Sequence, residues 1–396
     1  MNAIAKLRPG YRPGYAHVRE FYTSPDIYES DIRDYWNRSW IWVGHQSQLK
    51  KPGDFITFDY GPESVIIARD RDSGIGAFQN VCRHRGSRLC LEASGNTRVF
   101  SCPYHAWTYE LTGQLRRARE MGEGFDPADY GLLSLHLRNF EGLLFVCAGD
   151  EPPEIDEGLR RLRPLVAPFD LGKTRIAHTA TYPVPANWKL AIENYMECYH
   201  CGPAHLEFAR SHSIKDPAHM NAGLVDKLEA RSRAAGVPTG EVTRNDPGAA
   251  TLFLRRYPLF EGYDTGSRTG APLAPLLGGL SGFDGGATDM QIGILNNFLI
   301  YADHMIGYRF VPTALQETRI EVVWFVREDA EAGRDYDHGD LTWLWHATSL
   351  DDERIIRHNQ QGVNSHHFVP GPLSEMEWGI AAFYDDYLSV SADQIR

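Results

Sequence analysis

Two short stretches, VCRHRGSRLC (residues 81–90) and SCPYHAWTYE (residues 101–110), each hold one cysteine and one histidine at ligand spacing. The four candidate ligands are Cys82, His84, Cys102 and His105. Zinc accepts such a set in a tetrahedral site, and so does a two-iron, two-sulfur cluster in which two histidines replace two cysteines on one iron. Each stretch supplies one ligand of each kind from a loop, which favours the iron–sulfur cluster.

A second group of candidate ligands lies in NWKLAIENYMECYHCGPAHLEF, residues 187–208. On an α-helix, Glu193, Glu197 and His200 would share one face because they are four and then three residues apart. The glycine and proline that follow predict the end of this helix, which would let His205 fold back towards His200. Two imidazoles and one carboxylate form the facial triad of non-haem Fe(II) oxygenases, which leaves coordination positions open for dioxygen.

The cysteines and histidines of the second stretch allow other interpretations. Either histidine alone could be an ordinary core or surface residue. Cys198 and Cys201 could form half of a zinc site, although no second C-x-x-C completes it. Cys90 and Cys147 have no partner at ligand spacing, and we expect them to be buried core thiols.

The first pair of stretches resembles the ligand boxes of Rieske proteins, including Trp107 and the Thr-Gly turn at 112–113. By this resemblance the two cysteines hold one iron and the two histidines hold the other. Together with residues 187–208, nearly the whole chain resembles the catalytic (α) subunit of Rieske non-haem iron oxygenases. The resemblance therefore implies a [2Fe-2S] cluster and a mononuclear Fe(II) that uses dioxygen.

The resemblance also implies a third iron ligand, an aspartate on a late helix that precedes a glutamine and a G-x-x-S run. DDERIIRHNQQGVNS, residues 351–365, matches this pattern, and the spacing to Gln360 selects Asp352, with Asp351 as the alternative. The residues themselves also allow Asp352 to be only a helix cap, because it stands three positions after Ser349.

In this family a carboxylate three residues before the first iron histidine bridges the cluster of one subunit and the iron of the next. That position is Glu197, and Asn194 in the same motif is a further candidate catalytic residue. The resemblance therefore implies a homotrimer. A glutamate at this position resembles the oxygenases of glycine betaine, stachydrine and carnitine, whereas ring-hydroxylating dioxygenases usually have aspartate.

Composition limits the remaining function classes. The chain has 396 residues with 42% hydrophobic and 23% charged side chains, as in soluble globular proteins. A formal charge of −12 argues against nucleic-acid binding. The sequence lacks a signal peptide and a membrane span, so a cytoplasmic enzyme is expected. It also lacks flavin and nicotinamide motifs, so a flavin- or ferredoxin-type reductase must bring electrons from NAD(P)H.

The distribution of apolar residues predicts an α+β protein. The pattern predicts an N-terminal helical segment in residues 1–40, a small all-β domain in residues 41–150 and helices on an antiparallel sheet in residues 151–396. The resemblance implies that residues 41–150 are the Rieske domain, that residues 151–396 are a helix-grip catalytic domain, and that residues 1–40 pack on the catalytic domain. We expect its four successive strands in ATLFLRRYPLF, MQIGILNNFLIY, HMIGYRFVP and ETRIEVVWFVRED.

A quaternary ammonium ion is recognised by aromatic faces with an acid nearby. The predicted sheet offers four candidate pocket residues: Tyr257, Phe298, Tyr301 and Phe310. These residues do not choose between substrates, but the resemblance at Glu197 implies oxidative N-demethylation of a compound such as glycine betaine or stachydrine. The alternative is mono- or dioxygenation of an aromatic ring or aromatic acid, with Arg255 or Arg256 holding the acid. The non-enzyme alternative is an electron carrier or a zinc protein.

Overall fold

A computed structural model describes residues 3–72, 74–246 and 248–389. The chain forms two compact units, one of residues 41–152 and the other of residues 1–40 with 153–396. The second unit is therefore discontinuous in sequence.

The unit of residues 41–152 is built from short antiparallel strands. They are β1 (Ile41–His45), β2 (Asp54–Tyr60), β3 (Glu63–Arg69), β4 (Ile75–Gln79), β5 (Ser94–Asn96), β6 (Phe100–Ser101), β7 (Thr108–Tyr109), β8 (Leu115–Arg117), β9 (His136–Phe140) and β10 (Leu143–Cys147). They form three sheets in the orders β1-β10-β9, β4-β3-β2-β5 and β6-β7-β8. One buried cluster joins strand residues such as Phe55 and Phe100 to Cys82, Cys102 and Trp107. The core of this unit therefore extends to the loops that carry the candidate ligands.

The other unit contains a seven-stranded antiparallel sheet with the order β11-β17-β16-β15-β14-β13-β12. Its strands are β11 (Thr174–Val184), β12 (Val242–Arg244), β13 (Leu252–Pro258), β14 (Gly286–Ile292), β15 (Asn297–Ile300), β16 (Met305–Ala314) and β17 (Glu317–Arg327). Its α-helices are α1 (Glu20–Thr23), α2 (Pro25–Ser30), α3 (Asp156–Val166), α4 (Trp188–Tyr195), α5 (Cys201–Ala204), α6 (Phe208–Ser211), α7 (Ala222–Ala235), α8 (His338–Val363) and α9 (Trp378–Ser389). The predicted α+β class, an all-β part and an antiparallel sheet with helices, is confirmed.

The sheet has β11 and β12 in addition to the four predicted segments, and one of those segments differs from the prediction. MQIGILNNFLIY forms two strands, β14 and β15, which pair with each other in an antiparallel hairpin. Gly293 lies just after β14 with φ of 63°, a left-handed conformation that turns the chain and that glycine adopts without strain. The hairpin places residues 286–292 in the middle of the sheet.

The N-terminal segment is joined to the helices of the catalytic unit by buried polar contacts. Asp31 follows α2 and forms a fully buried ion pair with Lys189 of α4. The same carboxylate accepts hydrogen bonds from the Trp188 indole (3.1 Å) and from the Tyr387 hydroxyl of α9. Within the part of the chain that the structure describes, no helix has the length and apolar character needed to cross a bilayer.

Candidate metal centres and substrate cavity

The two cysteine–histidine loops have the same backbone geometry. Gly86 N donates to Cys82 O and Ala106 N donates to Cys102 O, each over 3.0 Å. Gly86 and Ala106 are both left-handed, with φ of 75° and 57°. A non-glycine residue in this region is strained and must be held by its surroundings, as is common where backbone is shaped around a ligand.

These loops keep the thiols inside and the imidazoles outside. Cys82 and Cys102 are buried and interact electrostatically, and the Tyr109 hydroxyl lies 3.3 Å from Cys82 Sγ. His84 and His105 are exposed, with their Nδ1 atoms 3.1 Å apart. The four candidate ligands thus form a sulfur pair and a nitrogen pair.

A single zinc ion fits this arrangement poorly. Zinc bonds of about 2.0–2.3 Å would bring all four donor atoms within about 4 Å of one another. Among the described residues, only His200, His205 and Asp352 bring three such ligand atoms within 4.8 Å of one another. The separate sulfur and nitrogen pairs match a cluster in which each pair serves its own iron.

The cysteines of the chain differ in the ease with which they ionise. Burial opposes ionisation of Cys102, but the backbone N–H groups of Tyr104 and His105 outweigh it, and the pKa of this thiol is lowered. Burial raises the pKa of Cys90 to about 12 and that of Cys147 to about 11. Cys147 is buried and Cys90 half-buried, as expected for core thiols.

The second candidate site is built at the end of α4, and here the predicted helix is wrong in extent. The helix ends at Tyr195, and Glu197 lies in the turn beyond it. The Glu197 carboxylate accepts the backbone N–H groups of Tyr199 and His200, a local pairing that competes with helical hydrogen bonds. The predicted shared helix face therefore does not form, and the chain turns sharply before His200.

The residues around this turn also differ from the prediction. Gly202 and Pro203 lie inside the short helix α5 instead of ending a longer one. Glu193 points away from the turn and accepts a hydrogen bond of 3.1 Å from Tyr22. Burial raises the pKa of Glu193 to about 8. Asn194 remains close, with its Nδ2 3.4 Å from His200 Nε2.

Three side chains converge as the sequence predicts. The Nε2 atoms of His200 and His205 are 3.0 Å apart. Asp352 Oδ1 lies 3.0 Å from His205 Nε2 and 3.6 Å from His200 Nε2. Two metal bonds of about 2.1 Å at right angles separate their donor atoms by about 3.0 Å. The three atoms therefore have the spacing of one triangular face around a metal ion.

The long helix α8 decides between the two candidate aspartates. Asp352 lies in the middle of α8, which begins at His338 and is capped by Asp337, so Asp352 is not a helix cap. Asp351 Oδ2 is 3.6 Å from His205 Nδ1, and its other oxygen pairs with Arg354 at 3.1 Å. The geometry favours Asp352.

Glu197 and Asp352 give the site a negative potential. Glu197 Oε1 lies 2.5 Å from His200 Nδ1, which leaves Nε2 of this imidazole facing Asp352. Burial lowers the pKa of His200, but the hydrogen bonds with Asp352 and Glu197 outweigh it and raise the pKa to about 9. A metal cation that binds here therefore has to displace the second proton of this imidazole.

Cys198 and Cys201 flank His200 and are joined by a disulfide. They therefore do not form half of a zinc site, which was one of the interpretations open from sequence.

A cavity of about 310 Å³ opens onto the three converging side chains. Of the four pocket residues predicted from sequence, Tyr257 lines it, whereas the wall does not include the other three, Phe298, Tyr301 and Phe310. Phe298 alternates with the lining residues Asn297 and Leu299, so its side chain faces the opposite side of the sheet.

The other two predicted aromatic residues lie behind the wall. The Tyr301 hydroxyl lies 2.6 Å from His212 Nε2. Phe310 packs behind two lining rings, with centroids 5.5 Å from Tyr195 and 5.9 Å from Tyr308. The cavity wall contains aromatic residues, as the sequence indicates. The sequence alone could not show which aromatic side chains of the strands face the cavity.

The two arginines of β13 have different environments. Arg256 is buried and pairs bidentately with Asp284, so it is not available to a substrate. Arg255 lines the cavity with a half-exposed side chain. Asp289 of β14, which sequence reasoning missed, also lines the cavity, and burial raises its pKa to about 7. An acidic residue inside the apolar β14 run was the signal that could have found it.

Two family models match the chain. The model described as "Rieske [2Fe-2S] domain" matches residues 39–140, and that described as "Ring hydroxylating alpha subunit (catalytic domain)" matches residues 171–392.

Curated relatives and solved structures agree with these matches. The glycine betaine monooxygenase oxygenase subunit of Chromohalobacter salexigens is 35% identical over 93% of this chain and 84% of its own length. The carnitine monooxygenase oxygenase subunit of Escherichia coli is 36% identical over 51% of this chain and 55% of its own. The quaternary ammonium Rieske monooxygenase CntA superposes with a TM-score of 0.73 and 24% identity, covering 95% of both chains.

These matches cover both units and agree with the two ligand arrangements. Members of this family carry a Rieske [2Fe-2S] cluster and a mononuclear iron, and they oxidise small molecules with dioxygen and electrons from a reductase. The chain belongs to the Rieske oxygenases, as an oxygenase (α) subunit.

Proposed function

We propose that this protein oxidatively N-demethylates a small quaternary ammonium compound such as glycine betaine or stachydrine. The observation that carries the proposal is a small cavity with tyrosine rings in its wall, which opens directly onto His200, His205 and Asp352. Its 310 Å³ is at the lower end of the range for small-molecule sites. The glycine betaine and carnitine oxygenase subunits among the relatives support the same substrate class.

We assign the metal ligands from the two arrangements of donor atoms. Cys82 and Cys102 hold one iron of the [2Fe-2S] cluster, and the exposed imidazoles of His84 and His105 hold the other. His200, His205 and Asp352 hold the mononuclear Fe(II). When bound, this iron supplies dioxygen activation beside the substrate.

The protein side chains then have distinct tasks. Glu197 accepts the Nδ1 proton of His200 and so keeps Nε2 free of a proton and directed towards the iron position. Asn194 lies beside the same nitrogen and at the cavity wall, where it limits how closely a substrate approaches. The substrate loses one N-methyl group as formaldehyde after hydroxylation of that carbon, and leaves as the demethylated amine.

Electrons reach the protein from NAD(P)H through a flavin- or ferredoxin-type reductase. We propose a homotrimer in which Glu197 lies on the route from the cluster of one subunit to the iron of the next. One similar structure, of a quaternary ammonium Rieske monooxygenase, is described as giving insights into inter-subunit electron transfer. Equilibrium sedimentation of the iron-replete protein tests the trimer, and a monomer at all concentrations would contradict it.

The first experiment uses nitric oxide as a probe of the iron site. The reduced protein is treated with nitric oxide, and the EPR signal of its Fe(II) adduct is recorded with glycine betaine, stachydrine, carnitine and a series of aromatic acids. A change with one ammonium compound supports N-demethylation. A change only with aromatic acids would replace it with aromatic hydroxylation, for which Arg255 would be the acid contact. No adduct in iron-replete protein would contradict the oxygenase assignment.

A matched pair of variants tests the third ligand. Asp352→Ala should lose the nitric oxide signal and keep the visible absorbance of the cluster, whereas Asp351→Ala should keep both. Loss of iron from the Asp351 variant alone would reverse the assignment. Acid-labile sulfide in the wild-type protein tests the remaining zinc alternative.

A further inference from the structure

Asp289 is a carboxylate at the cavity wall, and the residues that the structure describes give it no hydrogen-bond or ion-pair partner. It lies at the middle of β14, directly opposite Arg255 of β13 in the antiparallel register. Among the described residues, none donates a hydrogen bond to it or forms an ion pair with it, and burial is the sole cause of its raised pKa. Arg255 instead approaches Glu241, at 4.0 Å. An uncompensated carboxylate destabilises a fold, so its presence in a cavity indicates a partner that arrives from outside.

The surroundings of Asp289 are aromatic. Tyr195 and Tyr257 both interact electrostatically with its carboxylate, and both line the cavity. Tyr308 lines the same cavity and lies 5.1 Å, ring centroid to ring centroid, from Tyr195. Ring faces attract cations, most strongly where water is excluded. The site therefore offers one negative charge and several ring faces.

This combination selects among possible cations. A metal ion would need several oxygen ligands, but the group of ligand atoms that could hold one does not include Asp289. A primary ammonium needs acceptors for three N–H donors, and a single carboxylate does not supply them. A quaternary ammonium has no donor to satisfy, so one carboxylate and apolar ring faces are sufficient.

Arg255 adds a charge of the opposite sign. Residues directly opposite each other on antiparallel strands project from the same face of the sheet, with Cβ atoms about 4.5–5.5 Å apart. The side chain of Arg255 is 49% exposed and lines the cavity, and its nearest acid is beyond good hydrogen-bonding distance. It can reach a carboxylate of a bound molecule.

We propose that Asp289 holds the quaternary ammonium group of the substrate and that Arg255 holds the substrate carboxylate, so that the protein selects zwitterionic betaines over cations or anions alone. This inference rests on the proposed N-demethylase function and names the residues that would determine its specificity. Both act as binding residues, since neither lies among the candidate iron ligands.

The test combines two ligands with two proteins. Binding of glycine betaine and of 3,3-dimethylbutanoate, in which carbon replaces the charged nitrogen, is measured by titration calorimetry on the metal-loaded protein. Wild type should bind the betaine at least tenfold more tightly than the neutral-headed acid, and Asp289→Asn should abolish that preference while binding the acid as well as wild type. Asp216→Asn is the matched control, because Asp216 is already paired with Lys215 at 2.8 Å. It should shift both affinities less than twofold.

The second arm tests Arg255 with choline, which has the ammonium but no carboxylate. Arg255→Gln should weaken betaine binding at least tenfold and leave choline binding within twofold. Unchanged preferences in both variants, with wild type still binding betaine, would overturn this inference alone. Failure of wild type to bind any quaternary ammonium compound would overturn the proposed function as well. Circular dichroism of each variant checks that the fold is intact.

Discussion

Glu197 fixes the orientation of the His200 imidazole, a proposed iron ligand, with both of its oxygens: one contacts His200 Nδ1 and the other accepts backbone N–H groups. Substitution by Gln removes the negative charge but keeps the shape and one acceptor oxygen. We expect Glu197→Gln to bind both metals and to lose at least tenfold in kcat, because a weaker acceptor no longer holds the proton of His200 as firmly.

Iron content, cluster absorbance and single-turnover product formation check this prediction. Glu375→Gln is a suitable control, since Glu375 also lines the cavity but belongs to a short 3₁₀ turn. Normal product formation in the Glu197 variant would contradict the role of Glu197.

Asp289 also has a consequence for stability. Its pKa is raised to about 7, so the folded state binds the proton more tightly than the unfolded state does. The wild type therefore loses stability as pH rises from about 4 through 7. Asp289→Asn removes this loss. We expect the free energy of unfolding of this variant to exceed that of wild type by about 1–2 kcal/mol at pH 8 and to equal it near pH 4. The gain at pH 8 is smaller than the full pKa shift implies, because the carboxylate faces the cavity. Urea unfolding at both pH values measures the difference, and a gain independent of pH would contradict it.

Residue identity and spacing were enough to single out the side chains that converge as candidate metal ligands, because ligand chemistry restricts such ligands to a few residue types. They were not enough for Asp289, whose role depends on which face of β14 it occupies. Likewise Phe298 was predicted in the pocket, yet the alternation along β15 turns it away. Such choices depend on strand register, which is a property of the folded sheet.

At the scale of elements, the buried contact between Asp31 and Lys189 ties the N-terminal segment to α4, the helix that leads into the iron site. Lys189→Met would leave a buried carboxylate without its cation. We expect a loss of about 3–5 kcal/mol in the free energy of unfolding. The double variant Asp31→Asn, Lys189→Met should recover part of this loss.

Chemical denaturation of the three proteins measures these changes. Lys227→Met is the matched control, because its pair with Glu261 is exposed on both sides and should contribute less than about 1 kcal/mol. Equal losses in the Lys189 and Lys227 variants would contradict the importance of burial.

Element boundaries near the site were the least predictable feature. The apolar spacing of WKLAIENYMECYH favours one helix, but side-chain pairing by Glu197 stops it after Tyr195. In contrast, Ser24 accepts the Ile27 N–H and Pro25 begins α2, as is usual for these residue types at the start of a helix. A helix start follows such residue preferences, whereas the end of α4 depends on a side-chain pairing that apolar spacing does not show.

At the scale of the whole molecule, the discontinuous unit can be tested with a variant from which residues 41–152 are deleted. Trp40 and Pro153 lie at the two ends of the deleted segment, and the Trp40 indole N–H donates to the Pro153 carbonyl over 2.8 Å. A short Gly-Ser linker from residue 40 to 153 should therefore close without strain.

We expect this shortened chain to bind Fe(II) and form the nitric oxide adduct, but to lack the visible absorbance of the cluster. Introducing Asp352→Ala into it should then remove the adduct. An unfolded shortened chain would contradict the structural independence of the discontinuous unit.

The same discontinuity sets an order of events on the ribosome. In the N-terminal segment, Phe21, Trp36 and Trp40 are buried, and they belong to the same compact unit as later residues such as Lys189 and Tyr387. At about 5–20 residues per second, the last of these partners is made roughly 20–70 s after the segment itself. Residues 41–152, the other compact unit, are fully synthesised before these partners appear. Nascent chains of this protein therefore expose the aromatic residues of the N-terminal segment for most of their synthesis. Chaperones should bind mainly to this segment.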